Sequence, residues 1–241
     1  TGGEPTLRYD LPELIEYAKS LDMRVNLISN GFLIDKSLAN DFKKAGLSSA
    51  QISLEGSTKI THEKITGIPG SFENALNAVK ILNACNIRTH TNTTLSKQNM
   101  HEAASLPQFL KEQLNAERFS MNLIIPTGSA LANEIHLLQY PEAGETIKKI
   151  NEAALLNEIE FMWYSPTPLC IFNTITEGLG NKGCAACDGL RLSAARHDDI
   201  RKGRMLTTQP EQIPTMLRVY VCFFQGETEN LQLNLRSKKQ V

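Results

Sequence analysis

Apolar residues recur at helical spacing at Leu11, Leu14, Ile15, Ala18 and Leu21, the repeat that turns one helix face toward a core. Asp10 stands where an N-cap belongs and Pro12 falls in the first turn, both helix-start signals. Residues 25–29 (VNLIS) are a short apolar run ending in the turn dipeptide Asn30-Gly31 and predict a strand. A second helix follows, with Asp35 as cap, Leu38, Ala39, Phe42 and Ala45 as inner face, and Gly46 to close it. Gln51 to Leu54 reads as a strand, and Phe72, Ala75, Leu76, Val79 and Leu82 as a third helix capped by Ser71. Residues 87–95 and 119–125 read as strands, Ala143, Ile147, Ile150 and Ala154 as a helix, and 159–164 as extended. Strand and helix alternating every few tens of residues imply βαβ units and a parallel sheet.

The polar and glycine-rich strings fall in one pattern. Gly2-Gly3-Glu4-Pro5 precedes the first helix, and Ser29-Asn30-Gly31 follows the first complete strand. Residues 53–57 (SLEGS) follow the second, Asn92-Thr93-Thr94 ends the third, and Pro126-Thr127-Gly128 follows the fourth. All lie at the carboxyl ends of parallel strands, the edge where α/β sheets and barrels bind ligands. Turn chemistry alone asks for Gly, Asn, Ser and Pro in any such loop, so the specific strings carry the argument.

Composition bounds the reading. The 241 residues suffice for one large α/β domain, or one domain with a small appendage, and 41% apolar with 21% charged is ordinary for a soluble protein. No apolar run is long enough to span a membrane, and no signal peptide opens the chain. The first residue is Thr1, which suggests a cut within a larger protein. A net charge of -1 gives no reason to expect nucleic acid or a membrane surface. Acidic residues dominate up to about 190 and basic ones beyond it, a sign change that suggests a boundary. The five cysteines, Cys85, Cys170, Cys184, Cys187 and Cys222, are odd in number. With no secretion signal they favour a reducing cytoplasm, where clustered thiols bind metal more often than they pair.

The string Gly2-Gly3-Glu4-Pro5 is the most specific of these features. Paired glycines let the backbone approach a ligand closely, and exposed carbonyls with a carboxylate suit an ammonium group. Here the sequence resembles the radical S-adenosylmethionine (SAM) superfamily, whose GGEP motif holds the methionyl amino group of SAM. The later strings keep the family's order. Ser29-Asn30-Gly31 is similar to its third-strand ending, and residues 51–56 (QISLEG) to its fourth-strand S-L-D-G string, with Glu55 in place of Asp. Asn92 sits on the fifth strand, and residues 124–128 resemble the sixth-strand segment whose backbone faces adenine. The resemblance implies SAM contacts at Gly2, Gly3, Glu4, Asn30, Ser53, Glu55, Asn92 and Ile125. It implies an α/β fold, a partial parallel (β/α)6 half-barrel truncated at the N-terminus, with a small cysteine-bearing C-terminal extension.

The family's CxxxCxxC, whose thiolates hold a 4Fe–4S cluster, does not occur in this chain. The fragment alone is therefore expected to be inactive. Many relatives also carry an Arg before the Gly of the loop after the fourth strand; here the loop reads Ile65-Thr66-Gly67, leaving Ser53 as candidate partner of the SAM carboxylate. Cys85 reads as a small buried hydrophobe. Cys170, Cys184 and Cys187 are candidate metal ligands. Residues 184–190 (CAACDGL) resemble the start of a SPASM-type auxiliary iron–sulfur region, although the CxxC spacing alone suits zinc or free thiols equally. Domains are expected at 1–158 (radical SAM core), 159–190 (start of the SPASM-like region) and 191–241, an unassigned basic tail.

His62, His90, His101 and His136 show no metal spacing and read as surface or hydrogen-bonded histidines, with His90 the one placed to face a cavity. Trp163 and Tyr164 read as core. The intact relative is expected to cleave SAM reductively and abstract hydrogen through a 5′-deoxyadenosyl radical. The implied partners are SAM, a peptide or protein substrate, and an electron donor such as ferredoxin or flavodoxin. A TIM-like enzyme taking a phosphorylated or sugar ligand without iron, and a non-catalytic metal-binding module, stay open at this point.

Overall fold

The structure is a computed structural model that describes residues 3–125, 137–138, 140–167 and 172–180. Five strands form one sheet in sequence order: β1 (Asn26–Ser29), β2 (Ser49–Ser53), β3 (Arg88–Leu95), β4 (Arg118–Leu123) and β5 (Glu160–Trp163). Every neighbouring pair is parallel. Six α-helices stand among the described residues: α1 (Leu11–Ser20), α2 (Lys36–Lys44), α3 (Lys59–Thr66), α4 (Ser71–Ala84), α5 (Leu106–Leu114) and α6 (Tyr140–Leu156). Short 3-10 turns occupy Pro5–Leu7 and Ala103–Ser105. This is the expected truncated parallel α/β half-barrel. The 159–164 segment supplies β5, which pairs with β4 and continues the core sheet to Trp163.

Register sorts the side chains onto two faces, because successive residues of a strand alternate. Ser29, Ile52, Thr91, Phe119 and Phe161 lie across one row, with Met121 and Trp163 beside them. This is the helix-covered face. Ala50, Ile52, Phe119, Met121 and Trp163 are all buried there with the inner faces of α2, α4, α5 and α6. Each large side chain so buried contributes roughly 1.5–3 kcal/mol. The opposite face is polar: Ser53, Asn92 and Ser120 form one cross-strand row, with Gln51, His90, Thr94 and Asn122 on the same side. A parallel sheet ordinarily has both faces apolar; here β2, β3 and β4 are polar on this side, between Ile28 and Met162 of the flanking strands.

Helix ends follow local chemistry with informative exceptions. Asp35 caps α2 by accepting the Leu38 N–H at 2.8 Å, and Gly46 (φ +84°) ends it. Asp10 occupies the N-cap position of α1, but its carboxylate pairs with Arg8 at 2.6 Å instead of a backbone N–H. The cap of α4 is Gly70; Ser71 is already helical, and its hydroxyl donates to the Ile68 carbonyl at 2.7 Å. Ile65 and Thr66, read as loop, belong to α3. That helix buries Thr61 and His62 and exposes Ile60, inverting the pattern that signals a helix. Gly31 has φ +78°, and a Cβ there would stand 2.9 Å from the Ala78 Cβ. Both the turn and the approach of α4 to the sheet require glycine at this position.

Candidate functional site

The Glu4 carboxylate joins the glycine loop to the end of β1. Its Oε1 accepts the Thr6 N–H (3.1 Å), the Thr6 hydroxyl (2.7 Å) and the Ser29 hydroxyl (2.7 Å), and its Oε2 accepts the Asn30 N–H at 2.8 Å. Oε1 takes three donors and Oε2 one, and since each carboxylate oxygen carries two lone pairs, Oε2 keeps one acceptor site toward a ligand among the described residues. The side chain thus has a structural duty that the sequence reading did not foresee. Asn30 is exposed, and its Oδ1 turns back to the Phe32 N–H.

At the neighbouring edge Glu55 is held at every polar group. Its N–H donates to His62 Nδ1 (2.9 Å), its carbonyl accepts from Asn99 Nδ2 (2.9 Å), and its Oε2 accepts the Thr94 N–H (2.9 Å). Burial pushes the Glu55 carboxyl up to about 7, the Thr94 hydrogen bond opposing this only in part. His62 accepts at Nδ1, and burial lowers its pKa, with nearby Glu63 opposing. His62 is thus a buried, hydrogen-bonded histidine rather than a surface one.

Glu102 braces the loop that follows. It accepts the Ser57 N–H (2.7 Å), the Thr58 N–H (3.3 Å) and hydroxyl (2.9 Å), and the Thr61 hydroxyl (3.0 Å). A Cβ on Gly56 would stand 2.5 Å from Glu102 Oε1, which gives the glycine of the S-L-E-G string a packing reason. His62, Asn99 and Glu102 were not read from the sequence as site residues. The Thr58 cap of α3, which accepts the Thr61 N–H at 3.3 Å, is the local signal for the helix that carries His62, whereas Asn99 and Glu102 reach the site from more than forty residues along the chain.

Further along, Asn92 links β3 to β4. Its Nδ2 donates to Asn122 Oδ1 at 2.7 Å, and its Oδ1 accepts the Ser120 hydroxyl at 2.8 Å. Ser53, its cross-strand neighbour, makes no side-chain hydrogen bond among the described residues. His90 shares this face; its Nε2 is buried without a hydrogen-bond partner among the described residues, so it is neither a surface nor a satisfied histidine. Burial, then Arg118 and Arg88, push its pKa down to about 4. Ile125 is 57% exposed just past β4.

The structure therefore brings Glu4 and Asn30 into contact, sets Ser53 beside Asn92, and ties Glu55 to Thr94, all at the carboxyl edge. Gly3 leads directly into Glu4 and is exposed. Gly2, Cys170, Cys184 and Cys187 lie outside the described residues, as do His136 and Cys222. Among the described residues no three His, Cys, Asp or Glu side chains converge on a point able to hold a metal. Cys85 is half-buried at the far end of α4, its Sγ 3.6 Å from Asn40 Oδ1, rather than a fully buried hydrophobe. No described helix is long and apolar enough to cross a membrane.

Comparison with known proteins agrees with the geometry. Residues 1–110 match the model of the Radical SAM superfamily. The AdoMet-dependent heme synthase of Oleidesulfovibrio alaskensis is 36% identical over 135 residues, 54% of this chain and 33% of that protein. The PqqA peptide cyclase of Granulibacter bethesdensis is 31% identical over 140 residues, 57% of this chain and 37% of that protein. The chain thus spans little more than a third of the length of these curated relatives, both of which bear enzyme names. In fold it is similar to Streptococcus suis SuiB bound to S-adenosylmethionine, with a TM-score of 0.59 and 18% identity over 68% of this chain and 38% of that one. SuiB bound to its precursor peptide SuiA gives 0.58. The similarity to the Radical SAM superfamily thus spans residues 1–110, the part of the chain that carries Gly3, Glu4, Ser53 and Asn92.

Proposed function

We propose that this chain is the SAM-holding part of a radical SAM enzyme. The observation that carries the reading is the edge itself: the glycine loop is tied through Glu4 to β1, and Ser53 ends the adjacent strand β2 with a hydroxyl that makes no hydrogen bond among the described residues. The donor set fits the amino-acid end of SAM. Gly3 presents exposed backbone and Glu4 keeps one acceptor site for an ammonium, while Ser53 supplies a hydroxyl for a carboxylate. Bound together, SAM and a 4Fe–4S cluster supply the 5′-deoxyadenosyl radical that abstracts hydrogen. This chain's own part is to bind and orient. Glu4 fixes the glycine loop, Asn30 and Ile125 bound the site, and the Asn92–Ser120–Asn122 network holds the polar face rigid.

The substrate we assign to the whole protein is a peptide or protein, with ferredoxin or flavodoxin as electron donor and a cytoplasmic setting. The support is the peptide named for PqqA peptide cyclase and for SuiB, and the Cys170, Cys184 and Cys187 set, read as ligands of a SPASM-like auxiliary cluster. The test is anaerobic reconstitution of the full-length protein with iron and sulfide, followed by dithionite and SAM. Formation of 5′-deoxyadenosine supports the reading, and its absence from iron-replete protein removes it.

A further inference from the structure

The β2–β3 ladder ends in an unusual way. The Leu54 N–H donates to the Asn92 carbonyl at 2.9 Å. Beyond that rung, side chains answer the polar groups of the two strand ends. The Thr93 hydroxyl donates to the Leu54 carbonyl, and Glu55 Oε2 takes the Thr94 N–H. Asn99 Nδ2 donates at once to the Glu55 carbonyl and the Thr94 carbonyl, both at 2.9 Å. Asn99 is 1% exposed, and its Oδ1 takes the Ser96 N–H at 2.8 Å. Only one orientation of the amide satisfies these partners, since a flipped oxygen would face two carbonyl oxygens.

We propose that Asn99 is a positioning residue for SAM: it holds the ends of β2 and β3 parted by the width of a side chain, and that parting seats the amino-acid end of SAM on Ser53. The inference rests on the SAM-holding role above. Parallel α/β sheets bind ligands at the carboxyl ends of their strands, and Ser53, whose hydroxyl makes no hydrogen bond among the described residues, is the last residue of β2 before the parting. Asn99 touches neither of the candidate contact groups Ser53 Oγ and Glu4, and acts through the Glu55 and Thr94 backbones.

The test is Asn99→Asp in the full-length, iron-replete protein. A carboxylate of nearly the same shape cannot donate, so both carbonyls lose their partner. The expected result is SAM binding weakened about tenfold or more, with the cleavage rate at saturating SAM and the iron content close to wild type. A general loss of structure would lower the rate and the iron content together. A folded variant binding SAM within about twofold of wild type overturns the proposal. Should Asn99→Asp fail to fold, hydrogen exchange on the wild type decides. SAM is expected to slow exchange of the amides of residues 54–57 and 94–99, and unchanged exchange there overturns the proposal. Wild-type protein that binds no SAM overturns the underlying reading as well, a result distinct from normal SAM binding by the variant.

Discussion

Glu4 Oε2 accepts the backbone N–H of Asn30 at 2.8 Å, so the glycine loop and the end of β1 are one hydrogen-bonded unit. In Glu4→Gln the amide oxygen can keep the Thr6 and Ser29 donors, but the amide nitrogen then faces the Asn30 N–H. The variant is expected to lose about 1–3 kcal/mol of stability, read from the midpoint of urea unfolding at unchanged slope. Stability equal to wild type would break the link.

The glycines separate two kinds of cost. At Gly31 a new Cβ meets Ala78, Ile52 and the Ala75 backbone, on a residue already at φ +78°, whereas at Gly67 (φ +70°) nothing lies within 4 Å. Gly67→Ala carries backbone strain alone, about 1 kcal/mol. Gly31→Ala adds overpacking of about 1–3 kcal/mol. Thermal unfolding of the two variants should show Gly31→Ala falling further, and equal shifts would contradict the close approach of α4.

Glu55 and His90 give opposing pH slopes. The folded chain holds a proton on Glu55 up to about pH 7 that the unfolded chain releases near 4.5. That contribution to stability is therefore present below 4.5 and is lost as pH rises to about 7. His90, lowered from 6.5 to about 4, works the other way: its contribution is present above 6.5 and is lost as pH falls to about 4. His62, also lowered, has the sign of His90. In Glu55→Gln the histidine slope stands alone, so the variant should gain stability over wild type between about pH 5 and about pH 7.5. Melting curves at those two values check it; a constant offset would mean Glu55 is ionised throughout.

The cysteines beyond residue 180 carry the auxiliary-cluster proposal. Cys184→Ala with Cys187→Ala should lower the iron and sulfide content of the reconstituted full-length protein and leave SAM binding intact, because Ser53 and Glu4 are untouched. Unchanged iron would assign these thiols to zinc or to no metal.

Much of this fold is legible in the chain. All five strands and helices α1, α2, α4 and α6 follow from apolar spacing, because each buries a regular face such as Ala39 and Phe42 or Ile147 and Ile150. Helix α3 was missed because it buries Thr61 and His62 while Ile60 points outward. Helix α5 has no side-chain cap, its Ser105 making no bond to a helix N–H, and so lacks the start signal that Asp35 gives α2. The strand-end residues of the site were readable as motifs. Their supports were not, since Asn99 and Glu102 reach Glu55 and Ser57 across more than forty residues of sequence. Such partnerships are set by the sheet, not by local pattern.

The central claim is that the carboxyl edge from Gly3 to Ser53 holds SAM. Its most direct measurement is SAM affinity and 5′-deoxyadenosine formation in the full-length, reconstituted protein, compared with Gly3→Val. A β-branched side chain at Gly3 blocks backbone approach, so the account predicts loss of both SAM binding and cleavage in the variant at unchanged iron content. A Gly3→Val protein that binds SAM and releases 5′-deoxyadenosine at the wild-type rate would contradict it.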